Sequence, residues 1–423
     1  MIANKTTLIR VFLSAGLSLT LMLGTMAGSA AAKEYLIGLQ CDRSGPTQTV
    51  GPNLCPGFHD YIALFNKEGK LPGHKISVME IDHGYNVPRG IESYERHKDA
   101  GALTISLYGT PHTVALTPKL SEDHILGTSP GFGSAAGANG ERFPYLFPAA
   151  ASYWSQAASG VKFAGDQLKA AGKSLRGAKI AYIYYDNPAG REPLPILADL
   201  QKQLGFQLRE FAVPPPAIEM RPQVLDIARK YRADYVLSHL FGRGPGVSLK
   251  EFTRVGYDRE KMVGFVWAGG ESDINIAGWE QSEGYYNMQF AHVGSSRTNL
   301  NHPLLKRIAE VIKSEGRELP EAMDQSVYYN RGVMIAAVHA EAIRAAVEKQ
   351  GPNINGEDVK NAMERIKGLD LDGFMAPLTF TPQDHEGGGF VRIFQIHDHG
   401  YTPASDWIQG YRDTVMKHVM SGS

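Results

Sequence analysis

The chain reads as an α/β protein of two lobes, each a parallel sheet flanked by helices, joined by a three-strand hinge. Three observations carry that reading. Short apolar strands alternate with longer amphipathic helices, which implies parallel sheets with right-handed crossovers. The alternation comes in two series, one ending near Thr128 and one running from Gln156 to Trp267. A late helical block then ends in an extended pair, so the chain has to return to both series.

In the first series, strands are expected at Tyr35–Gln40, Lys75–Ile81, Leu103–Leu107 and Ile125–Thr128. Helices are expected at Pro56–Lys67, Ile91–Ala100 and Val114–Leu120. After the segment Phe143–Ala151, a long helix covers Gln156–Ala171. Strands follow at Lys179–Tyr184, Gln207–Phe211, Tyr235–His239 and Val263–Trp267, with helices at Pro195–Leu204, Gln223–Lys230 and one more between the last two strands. Tyr285–Phe290 reads as a strand, and Leu304–Glu315, Ser326–Lys349 and Gly356–Lys367 as helices. Gly373–Phe380 and Phe390–Ile396 are extended, the latter entering a hairpin turned at Asp398-His399-Gly400. Crossings near Pro148, Phe290 and Pro382 then give one lobe of 33–148 with 291–381 and a second of 149–290 with 382–423. Open α/β sheets bind ligands at the carboxyl ends of their strands, so a ligand is expected between the lobes.

Residues 1–32 read as an export signal. Lys5 and Arg10 precede a mostly apolar run from Val11 to Leu23, and Ser29-Ala30-Ala31-Ala32 offers a small-residue cleavage site after Ala32. An uncleaved membrane anchor is the competing reading, but small residues take over by Gly24 and leave the apolar part short of a span. The following residue is Lys33 and not Cys, which argues against a lipid anchor. The net charge of −1 and the lack of a basic stripe exclude a nucleic-acid partner. With 43% hydrophobic residues the chain can bury a large core. Its two cysteines, Cys41 and Cys55, sit at a strand end and the next helix start, where a disulfide is feasible. Two buried unpaired thiols are the other reading.

The catalytic motifs each lack a partner. Gly127-Thr128-Ser129-Pro130-Gly131 matches a nucleophile elbow, but Pro130 has no N–H for the oxyanion hole. Gly131-Phe132-Gly133-Ser134-Ala135-Ala136 matches a dinucleotide turn, yet no acid lies between Arg142 and Asp166 to hold a ribose. His385 and His397-Asp398-His399 suggest a metal, but the last three form a turn with no cysteine near. Glu271 and Asp273 are two acids two residues apart, as common at a helix N-terminus as in a glycosidase. Thr110 is different. It follows a strand and opens a helix, so free N–H groups there can hold a carboxylate.

The ordered motifs Ile37-Gly38-Leu39, Ser44-Gly45-Pro46, Tyr328-Tyr329-Asn330-Arg331-Gly332-Val333, Leu378 to His385 and Val391-Arg392-Ile393-Phe394-Gln395 carry a resemblance over essentially the whole chain after residue 32. The chain resembles type 1 periplasmic solute-binding proteins of the branched-chain amino-acid transporter class. That resemblance implies a soluble periplasmic protein, without cofactor or metal, that clamps a small organic acid and delivers it to an inner-membrane ABC permease. It places the ligand carboxylate at the turns of Thr110 and Gly131-Phe132-Gly133-Ser134. It also marks departures: Gly133 stands where an amino-acid binder has threonine, Phe241 where it has tyrosine, and Gly269, with Glu271 close by, where it has the acid that meets the ammonium. The other second-lobe aromatic position falls near Gly190-Arg191. The expected ligand is therefore an aromatic carboxylate or a branched-chain amino acid. Candidate ligand residues are Gln48, Tyr108, Thr110, His112, Gly131, Phe132, Gly133, Ser134, Tyr153, Arg191, Phe241, Trp267 and Glu271. A sensor that serves a membrane receptor and an exported α/β hydrolase are the alternatives.

Overall fold

The computed structural model describes residues 32–216, 219–294 and 299–421. The expected export signal falls on residues of which 1–31 lie outside the described ones. From Lys33 onward the chain forms one compact unit with two sheets. No described helix is long and apolar enough to cross a membrane.

The first sheet contains β1 (Glu34–Cys41), β2 (Lys75–Asp82), β3 (Thr104–Ser106), β4 (Leu126–Thr128) and β5 (Leu146–Phe147), in the order β2-β1-β3-β4-β5, all parallel. The second contains β6 (Lys179–Tyr185), β7 (Gln207–Val213), β8 (Tyr235–His239), β9 (Met262–Gly264), β10 (Tyr286–Gln289), β11 (Val391–His397) and β12 (Gly400–Ile408). Its order is β12-β11-β10-β9-β8-β6-β7, with β11 pairing antiparallel to both β10 and β12. All five residues of β8 are buried, as a parallel strand covered on both faces requires. In each sheet the winding direction reverses beside one strand pair, β1/β3 and β6/β8. Crevices outside the carboxyl ends of such pairs are where these folds take ligands.

Helix packing explains a buried histidine. Helix Gly51–Lys67 lies so close to helix Val327–Gln350 that a Cβ on Gly57 would stand 2.1 Å from the Tyr329 carbonyl oxygen. His339 on the second helix is fully buried. Its two ring nitrogens meet the hydroxyls of Thr104 at 2.5 Å and Thr128 at 2.8 Å, so it ties that helix to β3 and β4. Burial pulls its pKa down to about 3.

The chain passes between sheets three times: after β5, after β10 and before β11. The crossings are bonded to one another. Ala149 N–H donates to the His385 carbonyl at 3.2 Å, and His292 N–H to the Phe374 carbonyl at 2.6 Å. Buried Glu386 accepts from Ser152 N–H at 2.5 Å and pairs with Arg412, which also reaches Asp384 at 2.6 Å.

Most expected elements form, with informative differences. The hairpin turn is as read: Asp398 and His399 both have positive φ and link His397 to Gly400. Gly373–Phe380 is not a strand. It contains Pro377, which cannot donate to a ladder, and it makes only isolated bridges. The strand expected at Val263–Trp267 stops at Gly264. Ala268 N–H then bonds back to the Phe265 carbonyl at 2.8 Å, and this turn aims Trp267 inward. The helix expected at Gln223–Lys230 divides into Arg221–Leu225 and a π turn, Asp226–Tyr231. A closing helix, Arg412–Ser421, adds to the expected elements. Cys41 and Cys55 are joined in a disulfide.

Candidate functional site

A narrow cleft, with only ≈20 Å³ of space open to a water-sized sphere, lies where the two switch points face each other. Thr47, Val50, Tyr85, Tyr108 and Phe132 line it from the first sheet's side, and Tyr153, Phe241 and Trp267 from the second's. Except for Tyr153, which opens a helix, these residues follow strands β1, β2, β3, β4, β8 and β9, so sheet topology gathers them. A larger groove on the outer helices mixes apolar residues with charged ones, among them Glu68, Arg307, Glu341 and Arg344, which are engaged in surface ion pairs, and it lies away from these strand ends.

The walls are aromatic and touch. Phe132 and Trp267 stack at 4.7 Å with planes 4° apart, and Phe132 meets Tyr108 at 5.5 Å. Trp267 Nε1 donates to the Gly131 carbonyl at 2.6 Å, a hydrogen bond from one side of the cleft to the other. Beneath the indole lies the buried guanidinium of Arg331, 4.7 Å from the ring centre. Burial pulls the Arg331 pKa down to about 10. Tyr108 is fixed through Thr47: Asp42 accepts the Thr47 hydroxyl at 2.6 Å, so Tyr108 O–H donates to Thr47 Oγ1 at 3.2 Å.

Of the residues expected to bind ligand, Tyr108, Phe132, Tyr153, Phe241 and Trp267 line the cavity. Thr110, Gly131, Gly133 and Ser134 form the turns just behind Phe132. Thr110 is the first helical residue and not the cap, which is Gly109 at φ 91°. Thr110 Oγ1 accepts from Gly133 N–H at 3.2 Å. Ser134 caps the short turn Ala135–Ala138.

Four candidates sit elsewhere. Gln48 is exposed and does not line the cavity, and its neighbour Thr47 reaches it instead. His112 is buried behind the cleft, stacked on His83 at 4.1 Å, and its pKa is lowered by burial. Arg191 is turned outward, with its side chain 58% exposed and paired with Asp186 at 2.5 Å. Glu271 points away and accepts from Val327 N–H at 2.7 Å; burial pushes its pKa up to about 8.

Sequence reasoning missed Thr47, Val50, Tyr85 and Glu192. The first three lie just past β1 and β2, and strand-end position alone would have flagged them. Glu192 had no such signal. It comes from the second sheet's side and its carboxylate accepts from Ala135 N–H, on the turn expected to hold a ligand carboxylate. In this structure the Gly133 and Ala135 N–H donors of that turn are engaged by groups of the chain itself.

The catalytic motifs stay isolated. Ser129 Oγ is buried without a hydrogen-bond partner among the described residues, so nothing there would take its proton. His385 bonds the Leu146 carbonyl at 2.9 Å and Glu364 at 3.0 Å, far in the fold from the exposed His397–Glu283 pair. Cys41, Cys55 and Glu80 cluster, but both sulfurs are spent in the disulfide.

The periplasmic binding protein family matches residues 34–400. No curated protein matches the chain. Among solved structures, one titled an ABC transporter permease from the Pseudomonas fluorescens group is 29% identical, with TM-score 0.83 over 92% of this chain and 95% of its own. A branched-chain amino acid ABC transporter protein from Thermus thermophilus with bound valine is 21% identical, with TM-score 0.77 over 93% of this chain and 100% of its own. A fatty acid ABC transporter substrate-binding protein from Thermomonospora curvata is 18% identical, with TM-score 0.75 over 91% and 94%. The last two likenesses speak for the fold alone.

Proposed function

The chain belongs to the periplasmic binding proteins, and on that premise we propose that it is the solute-binding component of an ABC transporter, clamping a small aromatic ligand for delivery to an inner-membrane permease. Of the two ligand classes read from the sequence, the aromatic body is favoured over the branched aliphatic one. The observation that carries this is the stack of Phe132 on Trp267 across the cleft, with Tyr108, Tyr153 and Phe241 around it. A planar ligand enters by parting the two rings and takes over their stacking, each face contributing about 0.5–1.5 kcal/mol beyond burial. The lobes are taken as 33–148 with 291–381 and 149–290 with 382–423, turning about the three bonded crossings. The leader is cleaved after Ala32, and the protein works in the periplasm.

Thermal shift against benzoates, cinnamates, aromatic amides and amino acids tests the reading, because a ligand raises apparent stability by mass action. Stabilisation by aromatic members, with quenching of indole fluorescence that Trp267→Phe removes, is the expected result. Stabilisation by leucine, isoleucine or valine with no aromatic response would overturn it.

A further inference from the structure

Glu192 is a built feature and not a stray surface acid. Three hydrogen bonds fix the turn that carries it. Asn187 Oδ1 accepts from Gly190 N–H at 2.9 Å, Tyr182 O–H donates to the Gly190 carbonyl at 2.8 Å, and Trp154 Nε1 donates to the Glu192 carbonyl at 2.9 Å. From there the side chain reaches across the cleft to the Ala135 N–H.

Its place is bound to that of Gly133. A Cβ at 133 would stand 2.2 Å from Glu192 Oε2 and 2.7 Å from Thr110 Cγ2. A side chain at 133 would therefore push the Glu192 carboxylate out of the position it holds here. The space a side chain at 133 would take on one side of the cleft is filled by a carboxylate from the other. Oε2 accepts no hydrogen bond from any described residue, so it remains an available acceptor. Tyr153 joins this spot to the cavity: it lines the cavity wall and lies beside the Thr110 side chain.

We infer that Glu192 sets the ligand class of the cleft, turning a carboxylate-binding turn into one that receives a hydrogen-bond donor, so the ligand presents an amide, amine or hydroxyl there and not a carboxylate. The inference rests on the cleft being the ligand site. A ligand carboxylate would find its N–H donors engaged and would bring a second negative charge beside the first, which is costly where water is partly excluded. The neighbouring cation, Arg191, is paired with Asp186 and does not offset it. Burial already pushes the Glu192 pKa up to about 7, against the Ala135 N–H, which lowers it.

The test uses matched probes, benzoate, benzamide and benzylamine, with cinnamate and cinnamamide, titrated by calorimetry into wild type, Glu192→Gln and Glu192→Ala. Thermal unfolding checks that both variants fold. In wild type the amide or amine should bind at least tenfold more tightly than the matched acid. Glu192→Ala should weaken the amide or amine about ten- to a hundredfold and strengthen the acid, as loss of one charge-assisted hydrogen bond and one like charge predicts. Glu192→Gln should strengthen the acid likewise, since it removes only the charge. Tighter binding of the acid in wild type, or variants that change neither probe by more than twofold, would overturn the inference and leave the aromatic clamp standing. A series in which no probe binds any of the three proteins would instead defeat the aromatic clamp, and this inference with it.

Discussion

Trp267 should hold the two sides of the cleft together, and its contribution can be worked out from the contacts. Its Nε1 donates to the Gly131 carbonyl at 2.6 Å. A neutral hydrogen bond of this kind contributes about 0.5–1.5 kcal/mol net. Its ring stacks on Phe132 at 4.7 Å, adding about 0.5–1.5 kcal/mol beyond area burial. Trp267→Phe keeps a ring and loses the hydrogen bond, so the closed form should fall about two- to twelvefold relative to the open one. Trp267→Ala loses both, about 1–3 kcal/mol, or roughly five- to 150-fold. Small-angle scattering reads the change as a larger radius of gyration without ligand, growing from Phe to Ala. A double-mutant cycle with Phe132→Leu should return a coupling of about 0.5–1.5 kcal/mol in the affinity of an aromatic probe. Scattering profiles that match wild type for both variants, together with zero coupling, would refute the idea that this residue closes the cleft.

Four further outcomes are expected. Replacing Cys41 and Cys55 by serine should cost about 3 kcal/mol in denaturant unfolding, because the cross-link closes a short loop; an unchanged midpoint would refute it. Arg412→Ala should cost about 3–5 kcal/mol by leaving the buried Glu386 carboxylate without its cation, and Glu386→Gln in that background should restore part of the loss. His339 has its pKa held at about 3 by burial, below its unfolded value, so its neutral form stabilises the protein above about pH 6.5 and that stability is lost as pH falls toward 3; His339→Gln should flatten this acid limb. Asp273 is pushed up to about 7 by burial, against hydrogen bonds from Tyr328 and Gly270 that lower it. Wild type should therefore lose stability as pH rises from about 4 to 7, and the stability of Asp273→Asn relative to wild type should rise over that window.

The strand and helix order was legible because both are written in local periodicity. β8 occupies Tyr235–His239 as read, and Asp398-His399 forms its two-residue turn because those residues tolerate positive φ. The aromatic cavity was half legible for the same reason: Tyr108, Phe132, Phe241 and Trp267 follow strands, and strand ends gather at the switch points. What the sequence left open depends on distances between residues far apart in the chain. Spacing allowed Cys41 and Cys55 to pair or to stay apart, and the fold brought the two strand and helix ends together. Arg191 and Glu192 are neighbours on one turn, and only tertiary packing sends the first outward to Asp186 and the second across the cleft to Ala135. The glycine at 133 is plain in the sequence, but the space it leaves is filled from the opposite side of the cleft by a side chain 59 positions away, and no local pattern encodes that.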